Sequence, residues 1–155
     1  MEYMSQEGYD ELVAEIEQLE KIDLPAARDA IAEARDKGDL SENFEYHAAK
    51  REQGRILGRI RFKRRVLENA RVLDRSRLKG DVVGLLSRVK ITNLANNMSM
   101  TYLVVSPHET NLREGKISNK SPIGQALIGR KAGDIVDVQV PAGMLKLRID
   151  EVSLW

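Results

Sequence analysis

The sequence contains no cysteine and few aromatic residues. Its 155 residues include one tryptophan and two phenylalanines. The absence of cysteine excludes disulfide bonds and thiolate metal sites. No apolar run approaches the roughly 18 residues of a membrane-spanning helix, and the opening MEYMSQEGYDE is acidic where a signal peptide is basic and then apolar. We therefore expect a cytoplasmic protein with no membrane partner.

The net charge of +1 conceals a strong segregation of charge along the chain. Residues 1–49 carry a charge of −10, residues 50–79 carry +9 and the remainder carries +2. Such asymmetry predicts either two oppositely charged elements that pair with each other or a basic face for a polyanion.

The first part of the chain has helical periodicity. Ser5 is a candidate N-cap for a first helix, Pro25 should kink or restart that helix with Asp23 as a cap, and Gly38 is suited to end it as a left-handed C-cap residue. The apolar positions recur at spacings of three and four on either side of the proline. They are Tyr9, Leu12, Ile16, Leu19, Ala27, Ile31 and Ala34.

A second helix is predicted from about Glu42 to Leu73. Its seam consists of Tyr46, Ala49, Gln53, Ile56, Ile60, Lys63, Leu67 and Ala70, with two polar members. Because the connection between the two helices is short, we expect an antiparallel coiled-coil hairpin over residues 1–75, with an acidic tip at 38–45.

Beyond about residue 80 the period changes to two. LLSRVKITNL and MSMTYLVVS flank a turn, as do DIVDVQV and MLKLRIDEV, so each pair predicts a β-hairpin. Between them lies a short helix with Ser121 as N-cap, Pro122 at its first position and Gly129 as its stop. The predicted fold is therefore α+β, with a second domain over 80–155 built on an antiparallel sheet.

The tip segment GDLSEN presents Asp39 and Glu42, with Glu45 one turn later. Asp39 and Glu42 have the spacing of a capping box at the start of the second helix, and Ser41 could be the cap instead. Alternatively, the two carboxylates are ligands for a divalent ion. Mg²⁺ is often held by one or two carboxylates with other ligands from a partner, so two acids on a thin rod could complete a site elsewhere.

Three segments carry a resemblance to a known family. They are MSQEGYDELVAEIEQL, AIAEARDKGDLSENFEYHAAKREQGRILGRI and ISNKSPIGQALIGRKAGDIVDVQVPAG. The chain closely resembles the GreA/GreB transcript cleavage factors of bacterial RNA polymerase over essentially its whole length, and it is more similar to GreA.

The resemblance implies a coiled coil that enters the secondary channel of the polymerase and an FKBP-like C-terminal domain that docks at the channel rim. It implies that Asp39 and Glu42 help to hold a second Mg²⁺, shared with the polymerase, and orient water. The polymerase then cleaves backtracked RNA, so the factor stimulates an activity that is not its own. Ser121, Pro122 and Ile123 match the docking surface of the family, or they simply start a helix.

The second helix is crowded with basic residues that have two possible roles. They pair with acids of the first helix, or those nearest the tip contact RNA. The available acids are Glu15, Glu17, Glu20 and Asp29. The family resemblance implies a basic patch for the displaced 3′ end of the nascent RNA, for which Lys50, Arg51 and Arg55 are the candidates. Such contacts to phosphates would weaken with salt.

The residues next to the tip include two aromatics and a histidine. Phe44, next to the tip, is either a buried plug or a contact to the polymerase. Tyr46 falls on the seam, and His47 beside it should pack or hydrogen-bond near the tip. We expect a monomer when the protein is free, because the hairpin satisfies its own seam, with dimerisation through the hairpin as the alternative.

Two other functions compete with transcript cleavage. An FKBP-like fold suggests peptidyl-prolyl isomerase activity, but past residue 80 only Tyr102 and Trp155 could wall an aromatic proline pocket. Relatives with altered tips inhibit transcription from the same channel, whereas the retained acids Asp39 and Glu42 favour an activator.

Overall fold

The structure, a computed structural model, describes residues 2–39, 43–78 and 80–155. Its residue contacts divide the chain into two units, Glu7–Ala70 and Met1–Gln6 together with Arg71–Trp155. The helices are α1 (Gln6–Gln18), α2 (Leu24–Arg35), α3 (Phe44–Asn69) and α4 (Pro122–Leu127). The strands are β1 (Glu2–Met4), β2 (Ala70–Val72), β3 (Ser87–Asn93), β4 (Met98–Val105), β5 (Lys116–Ser118), β6 (Ile135–Val140) and β7 (Gly143–Leu154). Across the described residues, no helix has the length and apolarity to cross a membrane.

The helical unit is an antiparallel hairpin, as predicted. Side chains late in α3 bond to residues of the first helical run: Lys63 Nζ donates to Glu15 at 2.5 Å, and Arg64 Nε donates to Glu20 at 2.7 Å. The apolar cluster between the helices consists of Leu19, Leu24, Ala27, Ile56 and Ile60. Lys63 is a polar member of the predicted seam, and its bond to Glu15 explains how the half-buried ammonium is satisfied.

The helical run does not restart at Pro25. Between α1 and α2 the chain forms a π-helical segment, Leu19–Asp23, in which the Leu24 N–H donates to the Leu19 carbonyl. Asp23 has helical dihedrals and makes no side-chain capping bond, so the prediction of a cap there is wrong. The π-helical turn shifts the backbone hydrogen bonds directly before Pro25, which has no N–H to donate. The helix can therefore continue through the proline.

The C-terminal unit contains a five-stranded sheet of order β5-β4-β3-β7-β6. The two predicted hairpins are confirmed as β3 with β4 and β6 with β7. The sheet is mixed rather than antiparallel, because β5 pairs parallel to β4 through Leu103↔Lys116. Two 3₁₀ turns, Pro107–Glu109 and Leu112–Glu114, lie between those strands. The sequence did not predict β5, because a strand of three residues is too short to show a two-residue alternation.

One face of this sheet packs against α4. The Oγ of Ser121 accepts from the Gly124 N–H at 3.1 Å and Pro122 is the first helical residue, which confirms the predicted start of the helix. Gly129, just beyond α4, has a φ of +82°. The buried cluster consists of Val83, Val89, Ile91, Val104, Ile117, Leu127, Val136, Val138, Leu147 and Ile149.

The first described residues belong with the C-terminal unit. β1 pairs with β2, and the Leu73 N–H donates to the Met4 carbonyl at 2.9 Å. Ser5 is fully buried; its N–H donates to Glu109 Oε2 at 3.1 Å and its hydroxyl donates to the same carboxylate. The helix α1 begins directly after Ser5, as the sequence predicted. The segments that precede and follow the helical hairpin in the chain thus both belong to the C-terminal unit.

The start of α4 packs so closely on β5 that only glycine fits at one position. A Cβ built on Gly124 would lie 2.0 Å from the carbonyl oxygen of Ser118, whereas one built on Gly84 would meet nothing within 4 Å. We expect Gly124→Ala to destabilise the protein by about 1–3 kcal/mol, because a backbone atom must move. The measurement is the thermal midpoint, with Gly84→Ala as the matched control. Equal midpoints for the two variants would contradict this close approach.

Candidate functional site at the hairpin tip

The turn between α2 and α3 is where the hairpin offers polar groups that its own seam does not use. The helix α2 ends at Arg35 with Asp36 as its C-cap. Gly38 lies two residues beyond that cap, not next to it as expected, and its φ is +141°. A residue with a side chain rarely adopts this φ, so the turn requires glycine there.

The side-chain amide of Asn43 closes the turn. Its Oδ1 accepts from the Tyr46 N–H at 3.1 Å and so caps α3, while its Nδ2 donates to the Ala34 carbonyl at 2.6 Å, near the end of α2. The N-cap of α3 is therefore Asn43 and not Asp39. Ser41 and Glu42, the other residues of the predicted cap, lie outside the described residues. An asparagine directly before a helical run is itself a capping signal, but the acid spacing obscured it.

The three acids of the tip have different surroundings. Asp39 is exposed, and Glu42 lies outside the described residues. Glu45 pairs with Lys37 at 3.0 Å, and this hydrogen bond and charge raise the pKa of Lys37 above its ordinary value. The contribution of the charged Lys37 to this pair is therefore present at neutral pH and is lost as the pH rises through that raised pKa.

A divalent ion at the tip would need ligands from elsewhere. Within the described ranges, no three His, Asp or Glu side chains come together as a metal site. An exposed carboxylate such as Asp39 is the type of ligand that Mg²⁺ prefers, and Mg²⁺ usually keeps several waters and takes its remaining ligands from a bound phosphate. The residues present fit a shared ion and do not form a complete site.

The basic residues divide into two groups. Lys63 and Arg64, far from the tip, form ion pairs with Glu15 and Glu20 of the acidic first helical run. For these two residues, the prediction that the basic residues pair with acids of the first helix is confirmed. Glu17 pairs instead with Lys21 on its own helix, at 3.9 Å. For Asp29 no ion pair is found among the described residues.

The predicted RNA-contacting residues are all exposed on α3. Lys50 Nζ lies 5.8 Å from the centroid of the Tyr46 ring. Arg55 pairs with Glu52 one turn before it on the same helix. Within the described part of the chain, Arg51 has no acidic partner. Among the described residues, none of these three cations pairs with an acid of the first helical run, whereas Lys63 and Arg64 do.

The aromatic residues near the tip are also placed. Phe44 is 86% exposed, which excludes the buried plug. Tyr46 is half-buried on the seam side, and His47 meets its ring edge-on with the centroids 5.5 Å apart.

The predicted docking residues already have structural roles. Ser121 caps α4, and its hydroxyl also donates to the Ser118 carbonyl at 2.7 Å. Ile123 packs against the buried cluster of the sheet. Pro122 alone of the three is fully on the surface. A docking contact there would therefore depend on Pro122 and on the shape that Ser121 gives to the turn.

Comparison with known proteins covers nearly the whole chain. Residues 2–72 match the family model "Transcription elongation factor, N-terminal", and residues 78–154 match "Transcription elongation factor, GreA/GreB, C-term". The chain belongs to the GreA/GreB family of transcription elongation factors. The family resemblance seen in the sequence is thereby confirmed.

Individual relatives of this GreA/GreB chain are similar over their full length. The transcription elongation factor GreA of Flavobacterium psychrophilum is 46% identical over 97% of this chain and 96% of the relative. That of Rhodospirillum rubrum is 46% identical over 90% of this chain and 89% of the relative. Among solved structures, GreA factor homolog 1 (Gfh1) of Thermus thermophilus is 30% identical over 97% of each chain, with a TM-score of 0.45.

The double role of Asn43 in this GreA/GreB tip leads to a stability prediction. Asn43→Ala removes the cap of α3 and the bond to Ala34, and we expect it to lower the free energy of unfolding by about 1–2 kcal/mol. Asn43→Asp keeps a capping oxygen but loses the donor, so it should fall between Ala and the parent. Urea unfolding followed by far-UV circular dichroism measures both. An Asn43→Asp variant as stable as the parent would show that the bond to Ala34 contributes nothing.

Proposed function

We propose that this chain stimulates the cleavage of backtracked nascent RNA by bacterial RNA polymerase, and that the polymerase itself catalyses the hydrolysis. The helical hairpin enters the secondary channel and carries Asp39 and Glu42 to the active site. The factor thus rescues arrested complexes without being an enzyme. The same proposal puts the protein in the cytoplasm, as a monomer when it is free.

The observation that supports this proposal best is that Asp39 is not needed to start α3. Asn43 caps that helix, and Asp39 lies exposed four residues earlier in the turn. The capping alternative had been the main structural explanation for an acid at this position. Capping of α3 therefore does not account for an acid at position 39, whereas the family resemblance accounts for it by a contact to a partner.

In the proposed complex, Asp39 and Glu42 hold a Mg²⁺ ion that is shared with the polymerase. When bound, such an ion lowers the pKa of a coordinated water and stabilises the negative charge that develops on the phosphate. Asp39 would supply an anionic ligand oxygen and accept a hydrogen bond from a coordinated water. Glu42 lies outside the described residues, and its role rests on the family resemblance.

The surface cations of α3 would contact the displaced 3′ end of the RNA. Lys50, Arg51 and Arg55 all lie within the first 12 residues of α3, which begins at Phe44. Contacts of this kind go to phosphates and carry no sequence information. They would position the RNA while the tip acids act.

The docking of the C-terminal domain at the channel rim belongs to the same proposal. Pro122 is exposed at the start of α4, with Ser121 fixing the turn and Ile123 anchoring it to the core. A rigid, partly apolar corner of this kind suits a protein contact.

Neither alternative function is favoured by the comparisons, in which the similar proteins are named transcription elongation factors. For the isomerase, the two aromatics of the C-terminal domain belong to different clusters: Tyr102 packs on the sheet core, and Trp155 packs near Leu86 and Val105. They therefore do not wall one proline pocket.

Removing the charge of Asp39 tests the proposed function. We expect Asp39→Asn to keep the parental melting temperature and to lose at least about 90% of the stimulated cleavage, because an amide is a poor Mg²⁺ ligand. The measurement is the shortening of RNA in halted, backtracked complexes with Mg²⁺. Asp36→Asn, which changes another exposed acid of the same turn, is the matched control and should stimulate normally. Full stimulation by Asp39→Asn would contradict the proposal.

The basic residues near the tip are tested by a pair of double variants. Arg51→Ala with Arg55→Ala should weaken crosslinking to the displaced RNA and reduce its salt dependence, because phosphate contacts are lost. Arg61→Ala with Arg65→Ala removes the same charge from exposed positions farther along α3 and should leave crosslinking near the parental level. Equal losses in the two double variants would indicate a nonspecific effect of net charge instead.

A further inference from the structure

Phe44 is the most exposed large apolar side chain among the described residues. It is 86% exposed, as the first residue of α3 and next to the Asn43 cap. Within the described ranges its ring meets no other aromatic ring and no cation. A phenyl ring this exposed contributes little to the hairpin seam, and its place beside the tip puts it within reach of a partner bound there.

Phe44 is the first member of an exposed stripe on α3. Ala48, Arg51 and Arg55 follow it at spacings of four, three and four, which places all four residues on one helical face. All four are exposed. With a rise of roughly 1.5 Å per residue, Arg51 lies about 10 Å and Arg55 about 16 Å along the axis from the ring.

A surface depression lies beside the second half of this stripe. Ala48 is small, and with Arg51, Glu52 and Arg55 it lines a shallow surface depression of about 330 Å³. Glu52 pairs with Arg55 along the rim of the depression, while Arg51 has no acidic partner in the described part of the chain. The phenyl ring of Phe44 therefore lies one turn before this depression on the same helical face, and the guanidinium groups of Arg51 and Arg55 line it.

The chemistry of the stripe fits a single-stranded nucleic acid better than a protein surface. Proteins that bind single strands combine cations that follow the phosphates with aromatic rings on which bases stack. A hydrophobic protein pocket would match the ring of Phe44 but would leave Arg51 to lose its water without compensation. In a single strand, a base can stack on the ring of Phe44 and the phosphates can contact Arg51 and Arg55.

We propose that Phe44 stacks on a base of the displaced 3′ segment of the RNA while Arg51 and Arg55 contact its phosphates. This inference rests on the proposed function, because the RNA reaches the tip only in a backtracked polymerase complex. It adds a residue that binds the base itself and so holds the displaced strand next to Asp39. Stacking tolerates every base, so the contact would be independent of sequence.

Replacing the displaced nucleotides by abasic ones tests the stacking directly. On ordinary RNA, Phe44→Ala should raise the protein concentration for half-maximal cleavage roughly tenfold, the size expected for loss of one stacked base. On RNA whose displaced nucleotides lack their bases, Phe44→Ala and the parent should be equal. A tenfold difference that persists on abasic RNA would overturn the proposal and assign Phe44 to a protein pocket.

Two further substitutions distinguish a ring contact from a general apolar contact. Phe44→Trp keeps a stacking face and should match or exceed the parent, whereas Phe44→Leu keeps apolar volume without a ring and should behave like Phe44→Ala. Parental cleavage by Phe44→Leu would overturn the stacking. Phe62→Ala, which removes an exposed phenylalanine of the same helix 18 residues away, is the control and should show no dependence on the bases.

The parent protein on ordinary RNA is the reference in every series. If it does not shorten the RNA, the proposed function and the stacking both fail. If it does, and Phe44→Ala matches it on ordinary RNA, the stacking alone fails.

Discussion

The whole tip depends on one side-chain amide that bonds to both helices. Asn43 accepts from the start of α3 and donates to the end of α2, so a single planar group fixes where one helix ends and the other begins. This arrangement satisfies backbone groups that helix ends otherwise leave unpaired. Asn43 rather than Asp39 is the N-cap of α3, and Asp39 is exposed in the turn. The geometry of the hairpin end and the chemistry proposed for it are therefore carried by separate side chains.

The segregation of charge along the chain serves two purposes. At positions remote from the tip, the opposite charges of the two helical strands meet, as Lys63 and Arg64 do with Glu15 and Glu20. Exposed pairs of this kind contribute little stability, about 0–1 kcal/mol each. Nearer the tip, the cations of α3 remain on the surface with Phe44. The charge asymmetry of the sequence is thus partly explained by pairing within the hairpin, and the remaining cations are those proposed to contact RNA.

Periodicity predicted most of the fold, and the departures have local causes. The hairpin seam, the two β-hairpins and the start of α4 follow from repeats of 3.6 and 2 residues and from strong caps. The parallel strand β5 is three residues long, and the bond of Ser5 to Glu109 joins residues 104 positions apart. Neither leaves a local pattern. At the tip, a capping-box spacing competed with the true cap, Asn43, and the exposure of Phe44 depends on where that cap falls.

The π-helical segment keeps the buried positions of the first helical run on one face. Leu19, the first residue of the segment, and Leu24, directly after it, are both buried although they are five residues apart, a spacing that would put them on different faces of a regular α-helix. The wide turn therefore absorbs one residue and brings the two apolar stripes back into phase. A homologue that lacks one residue here could form an uninterrupted α-helix with the same buried faces. Insertions and deletions of one residue should accordingly be tolerated at this point of the rod and at few others.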